Sequence, residues 1–189
     1  MPEIYKQNIA LPKDFPFIMF EAGGVKVDVP NLHLHNCFEI NYVKEGHGLY
    51  FISNKKYFIM PKDVYIINNI EPHYAWDAGD LKMLVILFDS SLLLTGEQDI
   101  LGYEYLKSFN ISNNGYYNRI EVEDEFSDKI IQIISSIENE FIKKDFGYKL
   151  LIRSLLFELS AYLYRLYSSK IKSIDTMDYA NIERIKKSY

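Results

Sequence analysis

The stretch of sequence that decides the fold reads His33-Leu34-His35-Asn36-Cys37-Phe38-Glu39. His33, His35 and Glu39 share parity, so on a continuous strand their side chains point to one face. His73 comes after two further strand-like segments and is expected beside them. Imidazole and carboxylate groups suit transition metals, and three nitrogens with one oxygen leave coordination positions open. The four residues are therefore candidate ligands for Zn, Fe, Mn or Ni, candidate walls of an effector pocket, or a hydrogen-bonded cluster inside the fold.

Around this stretch, up to about residue 120, short apolar segments alternate with turn signals. Leu49-Tyr50-Phe51-Ile52 and Tyr57-Phe58-Ile59-Met60 flank Ser53-Asn54-Lys55-Lys56, which predicts a hairpin, and residues 81–88 form another strong strand. Asn41 shares the parity of Glu39 and is expected to line the same cavity. Many short strands with few helical stretches between them indicate a mainly β sandwich or barrel.

After Val122 the apolar period changes to that of helices, with one helix from about 126 to 143 and a second from about 148 to 167. The apolar stripe of the second helix spans about 160° of its circumference, more than one neighbouring layer covers. We therefore expect this helix to form a homodimer; the alternative is a helix wedged between the barrel and the first helix. The candidate interface residues are Leu155, Leu159, Tyr162, Leu163 and Leu166.

Composition excludes several classes of protein. The net charge of −5 argues against nucleic-acid binding by this chain alone, because phosphate contacts require a basic surface. Cys37 is the only cysteine, so no internal disulfide forms and a reducing compartment is expected. The first fifteen residues lack the apolar run of a signal peptide, and no stretch has the length of a membrane span. A cytoplasmic protein without membrane contact is the expectation.

The pattern His33-x-His35-x3-Glu39-x6-Gly46 resembles the first metal motif of the cupin superfamily, and His73 stands where the second motif supplies its histidine. Some turn residues differ; for example, Lys62 occupies an expected glycine position of the second motif. A narrower resemblance covers residues 15 to 189. The series H-x3-E-I-x-Y-V-x-E-G-x-G from His35, K-x-Y-F-I-x-P-x-D-V-Y-I-I from Lys55, and E-P-H from Glu71 is similar to the N-terminal domain of AraC/XylS-type transcription regulators.

That resemblance implies a cupin barrel that binds a small effector, a helical pair that dimerises, and a non-catalytic protein. The candidate effector-binding residues are His33, His35, Glu39, Asn41 and His73. The implied domains are a barrel with an N-terminal arm (1–122), a helical dimerisation pair (123–168), and a linker with the start of a truncated DNA-binding domain (169–189). The DNA-binding module is expected beyond Tyr189. The alternatives are a metal-dependent cupin oxygenase or isomerase that uses His33, His35, Glu39 and His73, and a stand-alone sugar-binding cupin.

Overall fold

The computed structural model describes residues 4–23, 31–77, 79–94, 102–103, 106–109 and 118–171, with side chains to Tyr167. Of the predicted linker and tail, 169–189, residues 169–171 continue the last helix, and residues 172–189 lie outside the described residues. Ten strands and two α-helices occur within these ranges: β1 (Tyr5–Gln7), β2 (Phe17–Gly23), β3 (His33–His35), β4 (Phe38–Glu45), β5 (Gly48–Ile52), β6 (Lys55–Ile59), β7 (Val64–Ile67), β8 (His73–Asp77), β9 (Lys82–Phe88), β10 (Arg119–Ile120), α1 (Ser127–Lys143) and α2 (Tyr148–Ile171).

The strands form two five-stranded sheets. The first sheet has the order β1-β3-β8-β5-β6 and the second the order β10-β7-β4-β9-β2. All pairs are antiparallel except β1 with β3, which is parallel. The predicted hairpin is confirmed as β5 and β6, with Leu49 opposite Phe58.

Successive side chains along the strands of the second sheet point to opposite faces, so this sheet contributes to two hydrophobic cores, one on each face. In β9, Met83, Val85 and Leu87 face the space between the sheets, where they meet tyrosine and isoleucine side chains of the first sheet. Leu84 and Ile86 of the same strand face outward and pack on the helices. Both faces of this strand are therefore buried, which explains its unbroken apolar sequence.

The helical pair covers the outer face of the second sheet. Ile130, Ile133, Ile134 and Ile137 of α1 recur at helical spacing and are buried there with residues of α2. A left-handed Lys144 ends α1, and α2 begins four residues later at Tyr148. This short connection returns the chain antiparallel to α1. The mainly β fold, a cupin-type barrel followed by a helical pair, is thus confirmed.

One sequence prediction about α2 needs correction. Leu159 and Leu163 have no exposed surface, because they pack against the barrel and α1 of the same chain. They cannot form the contact surface of a dimer, so their assignment to the interface was wrong. Leu155, Tyr162 and Leu166 are partly buried against the same core. The wide apolar stripe reflects a helix held on two sides by its own chain, which was the alternative to the dimer.

Neither helix in the described part of the chain combines the length and the hydropathy that crossing a bilayer requires.

Candidate functional site

The cluster of polar residues predicted from the sequence is assembled from both sheets. β3 carries His33 and His35, and β8 places His73 directly opposite His33 in the antiparallel register. Glu39 lies on β4, in the other sheet. A bend at Asn36 and Cys37 carries the chain from one sheet to the other, so the single continuous strand expected from parity does not exist. The side chains meet because the two sheets face each other across the barrel interior.

Each of the three histidines is held at its Nδ1 atom by a backbone carbonyl. The Nδ1 atoms lie 2.9 Å from the Asn31 carbonyl for His33, 3.0 Å from the Cys37 carbonyl for His35, and 2.8 Å from the Glu71 carbonyl for His73. A carbonyl oxygen can only accept, so every Nδ1 carries hydrogen.

The carboxylate of Glu39 is fully enclosed and has a different environment at each oxygen. Oε1 accepts from Asn41 Nδ2 at 2.6 Å and from the Tyr50 hydroxyl at 3.2 Å. Oε2 lies 2.6 Å from Nε2 of His35 and 3.2 Å from Nε2 of His73. Burial alone would raise the pKa of Glu39, but the charge of His73 and the hydrogen bond with His35 outweigh it and hold that pKa well below its usual range. The site therefore contains a buried negative charge.

One buried polar atom of this cluster, Asn41 Oδ1, has no hydrogen-bond partner within the described residues, and Nε2 of His73 has only its 3.2 Å contact with Glu39. Most buried polar atoms in proteins are paired, because an unpaired one costs on the order of 1–3 kcal/mol. Such atoms beside an anchored carboxylate are typical of a site that receives a ligand.

The donor set also fits a metal ion. One ring nitrogen from each of His33, His35 and His73 lies within 4.8 Å of the others, and Glu39 contacts two of the three histidines. Ligating histidines commonly donate their other ring nitrogen to a backbone carbonyl or a carboxylate. The three histidines therefore form a group that could hold a metal ion, and the four-residue metal site stays a prediction.

His33 differs from the other three residues of the set because it is only half buried. Burial, with the nearby charge of His73, lowers its pKa. It marks the side of the cluster that is nearest to solvent.

Two neighbouring residues lie outside the cluster. His47 is exposed beside Asp80, as its position between two glycines indicates. Cys37 is buried in the barrel interior, and burial raises the pKa of its thiol to about 12. A thiol with that pKa is not a reactive group at neutral pH.

Two further parts of the chain contact the cluster, Tyr50 and the N-terminal segment. The hydroxyl of Tyr50 receives a hydrogen bond from Asn41 and donates one to Glu39, a role that a tyrosine in a tyrosine-rich chain does not reveal. The N-terminal segment contributes β1, which pairs with β3 so that Tyr5 lies opposite His33. Beyond β1, Ile9 and Leu11 pack against the barrel interior. The apolar character of this segment was the signal for such a contact.

The family model described as the AraC-like ligand binding domain matches residues 15–160 of the 189. No curated protein sequence matches the chain.

Three solved structures illustrate the likeness. ToxT from Vibrio cholerae O395, bound to (E)-4-(8-methylnaphthalen-1-yl)but-3-enoic acid, has 16% identity and a TM-score of 0.49 over 82% of this chain and 57% of its own. The AraC-like transcriptional activator CuxR has 9% identity and a TM-score of 0.45 over 67% and 42%. A predicted oxalate decarboxylase from Thermotoga maritima has 26% identity and a TM-score of 0.31 over 39% and 64%. The chain thus spans less than two thirds of the length of each.

Proposed function

The chain belongs to the family of AraC-like ligand-binding domains, and from that premise we propose that it is the sensing part of a cytoplasmic transcription regulator whose DNA-binding module is a separate domain. A small effector binds in the barrel at the cluster formed by His33, His35, Glu39, Asn41 and His73. Effector binding shifts the equilibrium between two arrangements of the domain, and the helices pass that bias to the DNA-binding module. The net charge of −5 agrees with leaving DNA contacts to another domain.

What supports this location for the effector is the buried amide oxygen Oδ1 of Asn41, which has no hydrogen-bond partner within the described residues. A ligand that donates to this oxygen and contacts the imidazole of His73 would satisfy it. The rings of Tyr50 and Tyr65, with centroids 4.8 Å apart, are buried beside the cluster and give it the aromatic surroundings that sites for small organic ligands have.

A melting-temperature screen tests this proposal. The chain is heated with individual neutral sugars, mono- and dicarboxylates and amines, and compounds that raise its melting temperature are then titrated by calorimetry. Asn41→Leu keeps the side-chain volume but removes the amide, so binding should weaken about 10-fold or more because a buried partner is lost. His47→Ala changes an exposed histidine outside the cluster and should bind normally. Equal binding by Asn41→Leu and the unchanged chain would place the effector elsewhere.

The metal-dependent enzyme remains the competing interpretation. The intact set of three histidines and one glutamate favours it. Family membership favours a regulatory domain, since the family is defined by ligand binding.

We also propose that the domain forms a homodimer, through a different surface from the one predicted by sequence. Four apolar residues are exposed in and beside the turn between α1 and α2: Ile142 at the end of α1, Phe146 in the turn, and Leu150 and Leu151 at the start of α2, with 69%, 108%, 72% and 47% of their surface accessible. Next to them lies an apolar groove of about 430 Å³ between β2 and α1, with Glu21 and Glu138 among its lining residues. Glu21 and Glu138 are both paired with Lys44, and Lys144 also lines the groove. The exposed aromatic side chain of a partner's Phe146 therefore complements the groove through its apolar surface.

A further inference from the structure

We propose that the outer face of the first sheet is a docking surface for an acidic amphipathic helix of another protein. This face is the side of β8, β5 and β6 that points away from the barrel interior. It is formed by Leu49, Phe51, Lys56, Phe58, Tyr74 and Trp76. The inference goes beyond the proposed effector site, which lies on the inner side of the same sheet, and it gives the domain a protein partner.

The first support is the apolar character of the outward positions. Successive residues of a strand point to opposite faces, and an antiparallel sheet with one face in water usually carries polar residues on that face. In β5, Tyr50 points into the barrel core, so Leu49 and Phe51 point outward. By the same alternation, Tyr74 and Trp76 are the outward residues of β8. All four outward positions of these two adjacent strands are therefore apolar or aromatic.

Comparison with the second sheet shows what such a pattern requires. β9 is also apolar on both faces, and its outer face is buried by the helices of the same chain. The core that contains those helices includes no residue of the described strands of the first sheet. Phe58 and Trp76 are instead 69% and 36% exposed. The first sheet thus has the sequence of a sheet covered on both faces, but the described cores leave its outer face uncovered, which is typical of an interaction surface.

The dimensions of this face fit a helix. Leu49 lies directly opposite Trp76 on one side and Phe58 on the other, so the three side chains form a row across β8, β5 and β6. Because neighbouring strands are about 4.8 Å apart, the row is about 10 Å long, which matches the diameter of an α-helix with its side chains. Amphipathic helices packed on a sheet are also what covers the second sheet of this fold.

A second row of side chains adds a positive charge to the face. Phe51 lies opposite Tyr74 and Lys56, and its ring stacks on that of Tyr74 with centroids 4.5 Å apart. The Nζ atom of Lys56 lies 5.7 Å from the ring centroid of Phe51 and 5.8 Å from that of Phe58. The ammonium group is therefore held at the apolar surface, where a carboxylate at the border of a docked apolar stripe would meet it.

The charges of the sheet select an acidic partner. Lys6, opposite Leu34, and Lys56 point outward, whereas Asp77, the one carboxylate in the described strands of this sheet, is buried. The net charge of the protein is −5, but screening limits the reach of a charge to about 8 Å at physiological ionic strength, so the local lysines decide. A second copy stacked on the same face would bring lysines of both copies into one interface, and a basic partner would be repelled.

A peptide-binding experiment tests the proposal. The probe is a synthetic amphipathic helix of about 18 residues with leucine and phenylalanine on one face and glutamate on the other, and the matched peptide has lysine in place of glutamate. By fluorescence anisotropy, the full chain should bind the acidic peptide about 10-fold more tightly than the basic one. Phe58→Ser should weaken binding of the acidic peptide about 10-fold, whereas Ile142→Ser, equally exposed at 69% but at the end of α1, should not.

Charge reversal distinguishes this face from other surfaces. Lys56→Glu should reverse the preference, so that the basic peptide binds more tightly than the acidic one. Lys143→Glu, at the exposed end of α1, should retain the original preference.

Four results would overturn the proposal: no binding of the acidic peptide, equal binding of the two peptides, equal losses in Phe58→Ser and Ile142→Ser, or an unchanged preference in Lys56→Glu. Two further results would replace the proposed partner by another. If the chain self-associates in analytical ultracentrifugation and Phe58→Ser abolishes this, the face binds a second copy. If phosphatidylserine vesicles bind the chain and the acidic peptide does not, the face binds an anionic membrane.

Discussion

At the scale of single residues, Lys62 occupies a turn position where the second cupin motif has glycine, and the turn is nevertheless formed. Its φ of 75° lies in the left-handed region that favours glycine. The turn is kept because Lys62 N–H donates to the Val43 carbonyl at 2.8 Å and Asp63 accepts from Met60 N–H at 2.9 Å. These bonds fix the turn against β4, the strand that carries Glu39 and Asn41. The lysine therefore adopts an unfavourable conformation that its surroundings impose.

Replacing Lys62 by glycine should stabilise the fold. The left-handed conformation destabilises a folded chain by about 1–2 kcal/mol when the residue is not glycine. Glycine removes this strain, but its extra freedom in the unfolded chain lowers the free energy of unfolding by about 0.5–1 kcal/mol, which offsets part of the gain. We expect Lys62→Gly to raise the free energy of unfolding by about 0.5–1 kcal/mol in urea titrations. Lys62→Ala removes the same charge but keeps the strain, and serves as the control. A Lys62→Gly variant no more stable than Lys62→Ala would show that the turn is unstrained.

At the scale of elements, α2 shows what an apolar stripe can and cannot reveal. The spacing of its leucines predicted a helix, and the helix is confirmed as Tyr148–Ile171. The width of the stripe did not say which neighbours would cover it, because a second subunit and a second layer of the same chain bury leucine equally well. Leu159, with no exposed surface, and Leu150, 72% exposed, lie on the same helix and look alike in the sequence.

Substitutions of these two leucines should distinguish an effect on stability from an effect on dimerisation. Leu159→Ala should lower the free energy of unfolding by about 2–5 kcal/mol, because it opens a cavity between the barrel and the helices. Leu150→Glu should leave unfolding within about 0.5 kcal/mol, since it changes an exposed position. If the turn of the helical pair is the dimer interface, Leu150→Glu should be monomeric by analytical ultracentrifugation. A Leu150→Glu dimer as tight as the unchanged chain, or a monomeric unchanged chain, would contradict the proposed interface.

At the scale of the whole molecule, the residues of the site were predictable but the way they meet was not. The spacing of His33, His35 and Glu39 marked the cluster, and His73 was expected beside it. The structure brings His33 and His73 together by strand pairing, as expected. Glu39 arrives from the opposite sheet, because two residues, Asn36 and Cys37, are enough to change sheets without any glycine or proline as a signal. Parity carries information only within one uninterrupted strand.

The N-terminal segment contacts the strand that carries His33 and His35. β1 is an edge strand held on β3 in parallel pairing, and Ile9 and Leu11 are only partly buried against the barrel interior. Elements with so few buried contacts open at low free energy. Deleting residues 1–12 should therefore speed hydrogen exchange of the β3 amides, because their partner strand is lost.

The same deletion should leave α1 protected, since Ile130 to Ile137 are buried on the far side of the second sheet. Exchange measured by mass spectrometry over peptides that contain residues 33–35 and 130–137 compares the two regions in one sample. Unchanged exchange rates in β3 would mean that the N-terminal segment does not stabilise this strand, which carries His33 and His35. An equal increase in the exchange rate of α1 would mean that the deletion destabilises the whole domain. The N-terminal segment would then have no specific effect on β3.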